Sequence, residues 1–299
     1  MTDNRVEVGI YLPQIGFGYD EILERALWVE EFGFHSMWLF DHLYFEGMDL
    51  PTFEGWTLAT ALLAQTSTLH VGHLVLCANF RHPVLLGKMA STLDAVSRGR
   101  LLLGVGSGSV EDEHRAGGLP WGSFAERTER LEGTLDVVTR MFAGTHDVPN
   151  NPRTPTRPPI VVGGGGARTL ELVATYADWW NCPTYSLAEL DEKIALLHKA
   201  CAGVGRDPAT IRLSTESVLA LARTEAEVAE VTKLAERRFG GDAWGLHASE
   251  HIGTPDAVVP RLLEAVDKGV TFFVFFLHDR VSRSTLQLLA EEVVPRLNR

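Results

Sequence analysis

Eight short apolar segments alternate with helix-patterned segments along the whole chain, and this alternation limits the fold more than any other feature. The strand-like segments are 6–12, 36–41, 71–77, 101–106, 160–163, 179–182, 211–222 and 272–277. Between and after them, helical periodicity occupies 19–32, 56–65, 85–96, 124–142, 168–176, 187–202, 225–239, 256–267 and 284–297. The strand segments are mostly continuous in apolar residues rather than alternating, as parallel strands covered on both faces should be. Eight β/α units in 299 residues predict an α/β TIM barrel, (β/α)8, more naturally than a doubly wound sheet. A Rossmann reading is weak, because the turn at Gly104-Val105-Gly106-Ser107-Gly108 is GxGxG and no acid ends a second strand about 20 residues on. No composition break divides the chain, so residues 1–299 read as a single barrel domain. Residues 148–159 hold five of the fourteen prolines and predict a stiff rim segment rather than a linker.

Bulk chemistry narrows the function classes. A net charge of −12 argues against nucleic-acid and acidic-membrane partners, which need a basic patch. The polar start Met1-Thr2-Asp3-Asn4-Arg5 leads into no apolar signal region, and the longest apolar run, 270–277, is too short to span a bilayer. A cytoplasmic location is therefore expected. Three widely spaced cysteines, Cys77, Cys182 and Cys201, suit reduced thiols better than a disulfide framework or a zinc site.

In a barrel the chemistry lies at the C-terminal strand ends, which locates the candidate residues. Asp41-His42 after the second strand is the sharpest pair. Such a histidine titrates near working pH, and Asp41 could hold it in position. Its bland alternative is a capping aspartate beside an incidental histidine. Gly106, Ser107 and Gly108 end the fourth strand, and Gly163, Gly164, Gly165 and Gly166 end the fifth. The second run opens a helix with Arg168 and Thr169, so free N–H groups, the helix dipole and a guanidinium together predict a phosphate site. A flexible turn would need fewer glycines. Around the mouth, Gln14, Tyr44, Ser109, Glu113 and Trp180 are the candidate substrate-pocket residues. Glu111-Asp112-Glu113 reads equally as a solvated acidic loop, and Trp179-Trp180 as core. His247 and His251 have i, i+4 spacing but lack the HExxH order, and a surface pair is the better reading; no metal site is expected.

Taken in order, Gly33-Phe34-His35-Ser36-Met37-Trp38-Leu39-Phe40-Asp41-His42, Arg81-His82-Pro83, the segment 93–108, the segment 158–168, Tyr176-Ala177-Asp178-Trp179-Trp180-Asn181, Ile252-Gly253-Thr254-Pro255 and Val293-Val294-Pro295-Arg296 resemble the luciferase-like flavin and deazaflavin oxidoreductases, in particular their actinobacterial coenzyme F-420-dependent branch. The resemblance covers nearly the whole chain. It implies a wide-mouthed barrel holding a deazaflavin or flavin ring near strands two to four, with the phosphate on the glycine run. It also implies a cis bond at Leu74–Val75 beneath that ring, Asp41-His42 beside it, and a homodimer built on the early helices. Coenzyme F-420 is the expected cofactor. FMN, delivered by a separate reductase to a two-component monooxygenase, is the alternative, and a non-catalytic cofactor-binding member is a third reading. Members that oxidise alcohols place carboxylates where this chain has Ser109 and Gln14. That departure predicts a reductase acting on an activated C=C or C=N bond of a small organic substrate, with His42 positioning the ring. Residues 148–159 form a shortened version of the connection that contributes to the lid in relatives.

Overall fold

The computed structural model describes residues 5–44, 50–149, 157–239 and 251–298. Its strands are β1 (Glu7–Tyr11), β2 (Ser36–Leu39), β3 (His70–His73), β4 (Leu76–Cys77), β5 (Leu101–Gly106), β6 (Ile160–Gly163), β7 (Trp179–Cys182), β8 (Arg212–Leu221), β9 (His251–Gly253) and β10 (Val270–Leu277). Every pairing between them is parallel, and the order β10-β1-β2-β3-β5-β6-β7-β8 closes through β8–β10. Closure removes the free edges that an open sheet would expose. The helices α1 (Tyr19–Glu31), α2 (Gly55–Gln65), α3 (Pro83–Ser97), α4 (Glu111–Ala116), α5 (Phe124–Ala143), α6 (Ala167–Tyr176), α7 (Leu190–Val204), α8 (Val228–Phe239), α9 (Pro255–Asp267), α10 (Arg283–Leu288) and α11 (Val294–Leu297) complete the chain.

Local chemistry sets the helix ends. Ser123 accepts from the Glu126 N–H while the Glu126 carboxylate accepts from the Ser123 N–H, so α5 begins on a capping box. Pro83 occupies the first turn of α3, where its missing N–H has no intrahelical partner to lose, and Arg98 closes that helix in the left-handed region at φ 61°. The last helical segment is interrupted by a π-turn over Leu289–Val293.

Two cores result from side chains alternating across the strands. One fills the space between barrel and helices, with Met37, Leu39, Leu103, Val162 and Trp180 pointing outward from the strands. The other fills the barrel, where Trp38, Leu102, Val161, Trp179, Phe272 and Val274 are buried together. At the N-terminal end, stacked His35 and His70 (centroids 4.5 Å apart) and an Arg212–Glu7 ion pair close the floor. Among the described residues the barrel is thus filled below, and its cavity opens toward the C-terminal strand ends.

The third strand departs from the continuous 71–77 reading. It breaks between β3 and β4 at Leu74–Val75, whose peptide bond is cis. The break brings this strand against β5 so closely that a Cβ on Gly104 would sit 1.8 Å from the His73 carbonyl oxygen, and one on Gly106 2.3 Å from Val75 Cγ2. Close strand packing therefore requires glycine at these two positions.

Candidate active site

A cavity of about 440 Å³ opens at the C-terminal end of the barrel, a size typical of small-molecule sites. Its floor includes Leu74, Val75 and Gly106, and its rim includes Ser107, Gly108, Ser109, Gly163 and Gly164. Asp41, His42, Glu113 and Glu216 bring acid–base chemistry to its wall.

The histidine is held by an unexpected partner. Nδ1 of His42 lies 2.9 Å from Oε1 of Glu113, whose Oε2 accepts the Leu43 N–H at 2.8 Å. A carboxylate can only accept, so Nδ1 carries the proton, and whenever the ring is neutral Nε2 is its acceptor nitrogen. Glu113, one of the candidate pocket residues, is buried and lines the cavity, so the alternative reading of its acidic run as a solvated loop does not describe this residue. The run instead forms α4, which turns Glu113 inward while Glu111 and Asp112 pair with Arg115 at the surface.

Asp41, expected to hold His42, does something else. Its carboxylate takes Arg81 in a bidentate pair at 2.6 and 2.8 Å and accepts the Cys77 N–H at 2.8 Å. Arg81 continues to Glu54, whose side chain also caps α2. Asp41 therefore ties the end of β2 to β4 and α2. It lines the cavity from a fully occupied position.

Several other expectations need correction. Gln14 is fully buried, donating to the Phe40 carbonyl and accepting the Phe40 N–H, so it braces the β1 and β2 ends away from the cavity. Trp180 points outward into the helix-facing core and donates from Nε1 to the Gly164 carbonyl at 2.8 Å. Strand alternation gives the inward positions to Trp179 and Asn181 instead. Tyr44 is exposed and donates to the Asp112 carbonyl, outside the cavity lining. Of the glycine run, Gly163 and Gly164 line the cavity, whereas a Cβ on Gly165 would meet Ser186 Oγ at 2.4 Å. Gly166 caps α6, and Thr169 is buried against Gly164. Arg168 is exposed and paired with Glu132 and Glu171, so its charge is spent at the surface.

The cation at the cavity is one that sequence reasoning missed. Arg127 on α5 lines it, with its guanidinium 3.7 Å over the Trp121 ring and Nη1 donating to the Gly122 carbonyl. Its buried Nε has no hydrogen-bond partner among the described residues. An unsatisfied buried guanidinium donor beside Gly163 and Gly164 fits an anionic group such as a phosphate.

Glu216 on β8 was left without a role in the sequence. Enclosure pushes its carboxyl up to about 7, opposed by hydrogen bonds that include the Asn181 amide. A raised carboxyl pKa makes the folded chain hold a proton that the unfolded chain has released, so this group costs stability as pH rises from about 4.5 to about 7. Glu216→Gln should therefore raise the unfolding free energy at pH 8 by roughly 2–3 kcal/mol, an advantage that disappears near pH 4. Thermal melts of both proteins at the two pH values check this.

Among the described residues no group of three or more His, Cys, Asp or Glu is placed to hold a metal. His247 lies outside the described residues. His251 is no solvated surface residue: it lies half-buried on β9, where enclosure lowers its pKa to about 4. No helix among the described residues is long and apolar enough to cross a membrane.

A closed parallel (β/α)8 barrel with an acid–base cavity at its C-terminal face defines the class: a barrel of the TIM type with the layout of an enzyme. Residues 1–250 match the luciferase-like monooxygenase family model, and the chain belongs to that family. It is 27% identical to an F420-dependent glucose-6-phosphate dehydrogenase of Microbacterium testaceum across 95% of both chains. Among solved structures, an F420-dependent secondary alcohol dehydrogenase holding an F420–acetone adduct superposes with a TM-score of 0.79 at 17% identity, covering 99% of this chain and 100% of the other. An EDTA monooxygenase from Chelativorans sp. BNC1 superposes with a TM-score of 0.80 at 15% identity, over 98% and 93%.

Proposed function

We propose that this protein is a coenzyme F-420-dependent oxidoreductase acting on the alcohol–carbonyl couple of a small organic substrate. The observation that carries this reading is the His42–Glu113 hydrogen bond on the cavity wall. Reduction of a C=C or C=N bond, the outcome suggested by Ser109 and Gln14, rested on the lack of carboxylates at those two positions to act as a base. Glu113 supplies a carboxylate from four residues beyond Ser109. The F420-dependent relative aligned over almost the full length supports the deazaflavin over FMN.

The cofactor, when bound, supplies a two-electron hydride acceptor and donor. The chain's residues do the rest. Leu74, Val75 and Gly106 would offer an apolar floor to its flat ring, and Arg127 with the Gly163-Gly164 turn would hold a phosphate. In the oxidative direction Nε2 of His42 takes the substrate's hydroxyl proton, and the buried Glu113 carboxylate stabilises the imidazolium that results. In the reductive direction the same imidazolium returns the proton to the carbonyl oxygen.

Arg127→Ala is expected to weaken F-420 binding by about tenfold or more, the loss of one charge-assisted phosphate contact. Arg168→Ala should leave it near the wild-type value. Titration of each protein with oxidised F-420, followed by cofactor fluorescence, decides between the two arginines. Equal losses, or a loss confined to Arg168→Ala, would place the phosphate elsewhere.

A further inference from the structure

The acids around the cavity are not equivalent. Asp41 is neutralised by Arg81, and Glu113 is committed to His42 and the Leu43 N–H. Glu216 forms no ion pair among the described residues; the side chain that reaches its carboxyl is the neutral Asn181 amide. Aromatic rings line the same cavity. Tyr11 and Phe276 stack with centroids 4.1 Å apart at 27°, and Tyr185 lies at the mouth. The Tyr11 hydroxyl donates to the Leu74 carbonyl at 3.1 Å, which fixes its ring. A carboxylate with no cation, in a cavity also lined by aromatic rings, is a combination that attracts ammonium groups through charge pairing and cation–π contact.

The balance of charge points the same way. Among the described residues Arg127 is the one cationic side chain lining the cavity, and the proposed function assigns it to the cofactor's phosphate. No second Lys or Arg of the described lining is available for a phosphorylated substrate. We propose that this cavity selects an amine-bearing substrate, its ammonium group held between the Glu216 carboxylate and the Tyr11–Phe276 ring pair. This assignment rests on the cofactor reading only through Arg127. Burial of Glu216 adds support, since a carboxyl kept from water gains most from an arriving cation.

The test uses three probes of one shape: benzylamine, benzyl alcohol and benzyl phosphate, each titrated into the whole protein with F-420 bound and followed by ligand-detected NMR. At pH 8 benzylamine should bind about tenfold or more tighter than benzyl alcohol, as expected for a charge-assisted contact. Glu216→Gln should bring the two within about twofold, and Glu216→Asp, which keeps the charge, should retain most of the preference. A thermal melt of each variant establishes that it is folded. Equal binding of amine and alcohol to the wild type, benzyl phosphate binding best, or a preference that survives in Glu216→Gln would each overturn the proposal. Amine selectivity without F-420-linked turnover would remove the redox reading alone, and turnover of neutral alcohols without amine selectivity would remove this one alone.

Discussion

His42→Ala is expected to lower kcat by about 10²–10⁴-fold, the usual contribution of a positioned general acid–base, while retaining most cofactor binding. The physical reason is that the imidazole handles the proton and the cavity floor and Arg127 hold the cofactor. Glu113→Gln should lose turnover by about 10²-fold or more with the histidine still present, because the amide cannot stabilise an imidazolium as a carboxylate does. Added imidazole should restore part of the activity of His42→Ala and none of Glu113→Gln. Steady-state kinetics with and without imidazole check this. A His42→Ala enzyme with wild-type kcat would show that the dyad is structural.

Asp41→Ala should have its main effect on stability. Removing this carboxylate leaves Arg81 with Glu54 alone and strands the buried Cys77 N–H. Breaking a buried charged pair from one side typically costs about 3–5 kcal/mol. For a chain of this size that corresponds to a Tm roughly 10 °C lower. A Glu54→Ala change at the exposed end of the same network should cost about 1 kcal/mol or less, near the range of surface pairs plus a lost cap contact. Thermal denaturation of both variants measures the difference. Equal losses would mean that Asp41 is not the anchor.

The barrel was legible because β/α alternation is written in local periodicity, and each continuous apolar strand needed cover on both faces. The break at Leu74–Val75 was reachable only through family resemblance, since the run from Val71 to Cys77 reads as one apolar segment. Site residues were harder, because side-chain direction at a strand or helix end depends on the turn that follows. Arg168 adjoins the glycine run in sequence, yet the first turn of α6 aims it at Glu132 and Glu171. Arg127 is distant in sequence, yet α5 brings it to the cavity. Trp179 and Trp180 were indistinguishable until the phase of β7 was known. Glu113 was legible as a pocket residue from its place just after the fourth strand's glycine turn, but its pairing with His42 was not, since that depends on how α4 turns the side chain. Glu216 had only its place in the seventh strand segment, where a single acid in the middle of the longest described strand carries no indication of its role.

The most direct test of the central claim mixes the purified protein with oxidised coenzyme F-420 and a panel of primary and secondary alcohols, amino alcohols included, and follows the cofactor's absorbance. The parallel reaction offers reduced F-420 to the matching carbonyl compounds and to activated alkenes and imines. The account predicts that the oxidised cofactor is bleached by at least one alcohol and that the reduced cofactor is consumed by the corresponding carbonyl, both slowed by about 10²-fold or more in His42→Ala. Consumption of reduced F-420 by an alkene or imine with no alcohol active, or turnover only with reduced FMN and oxygen, would contradict it.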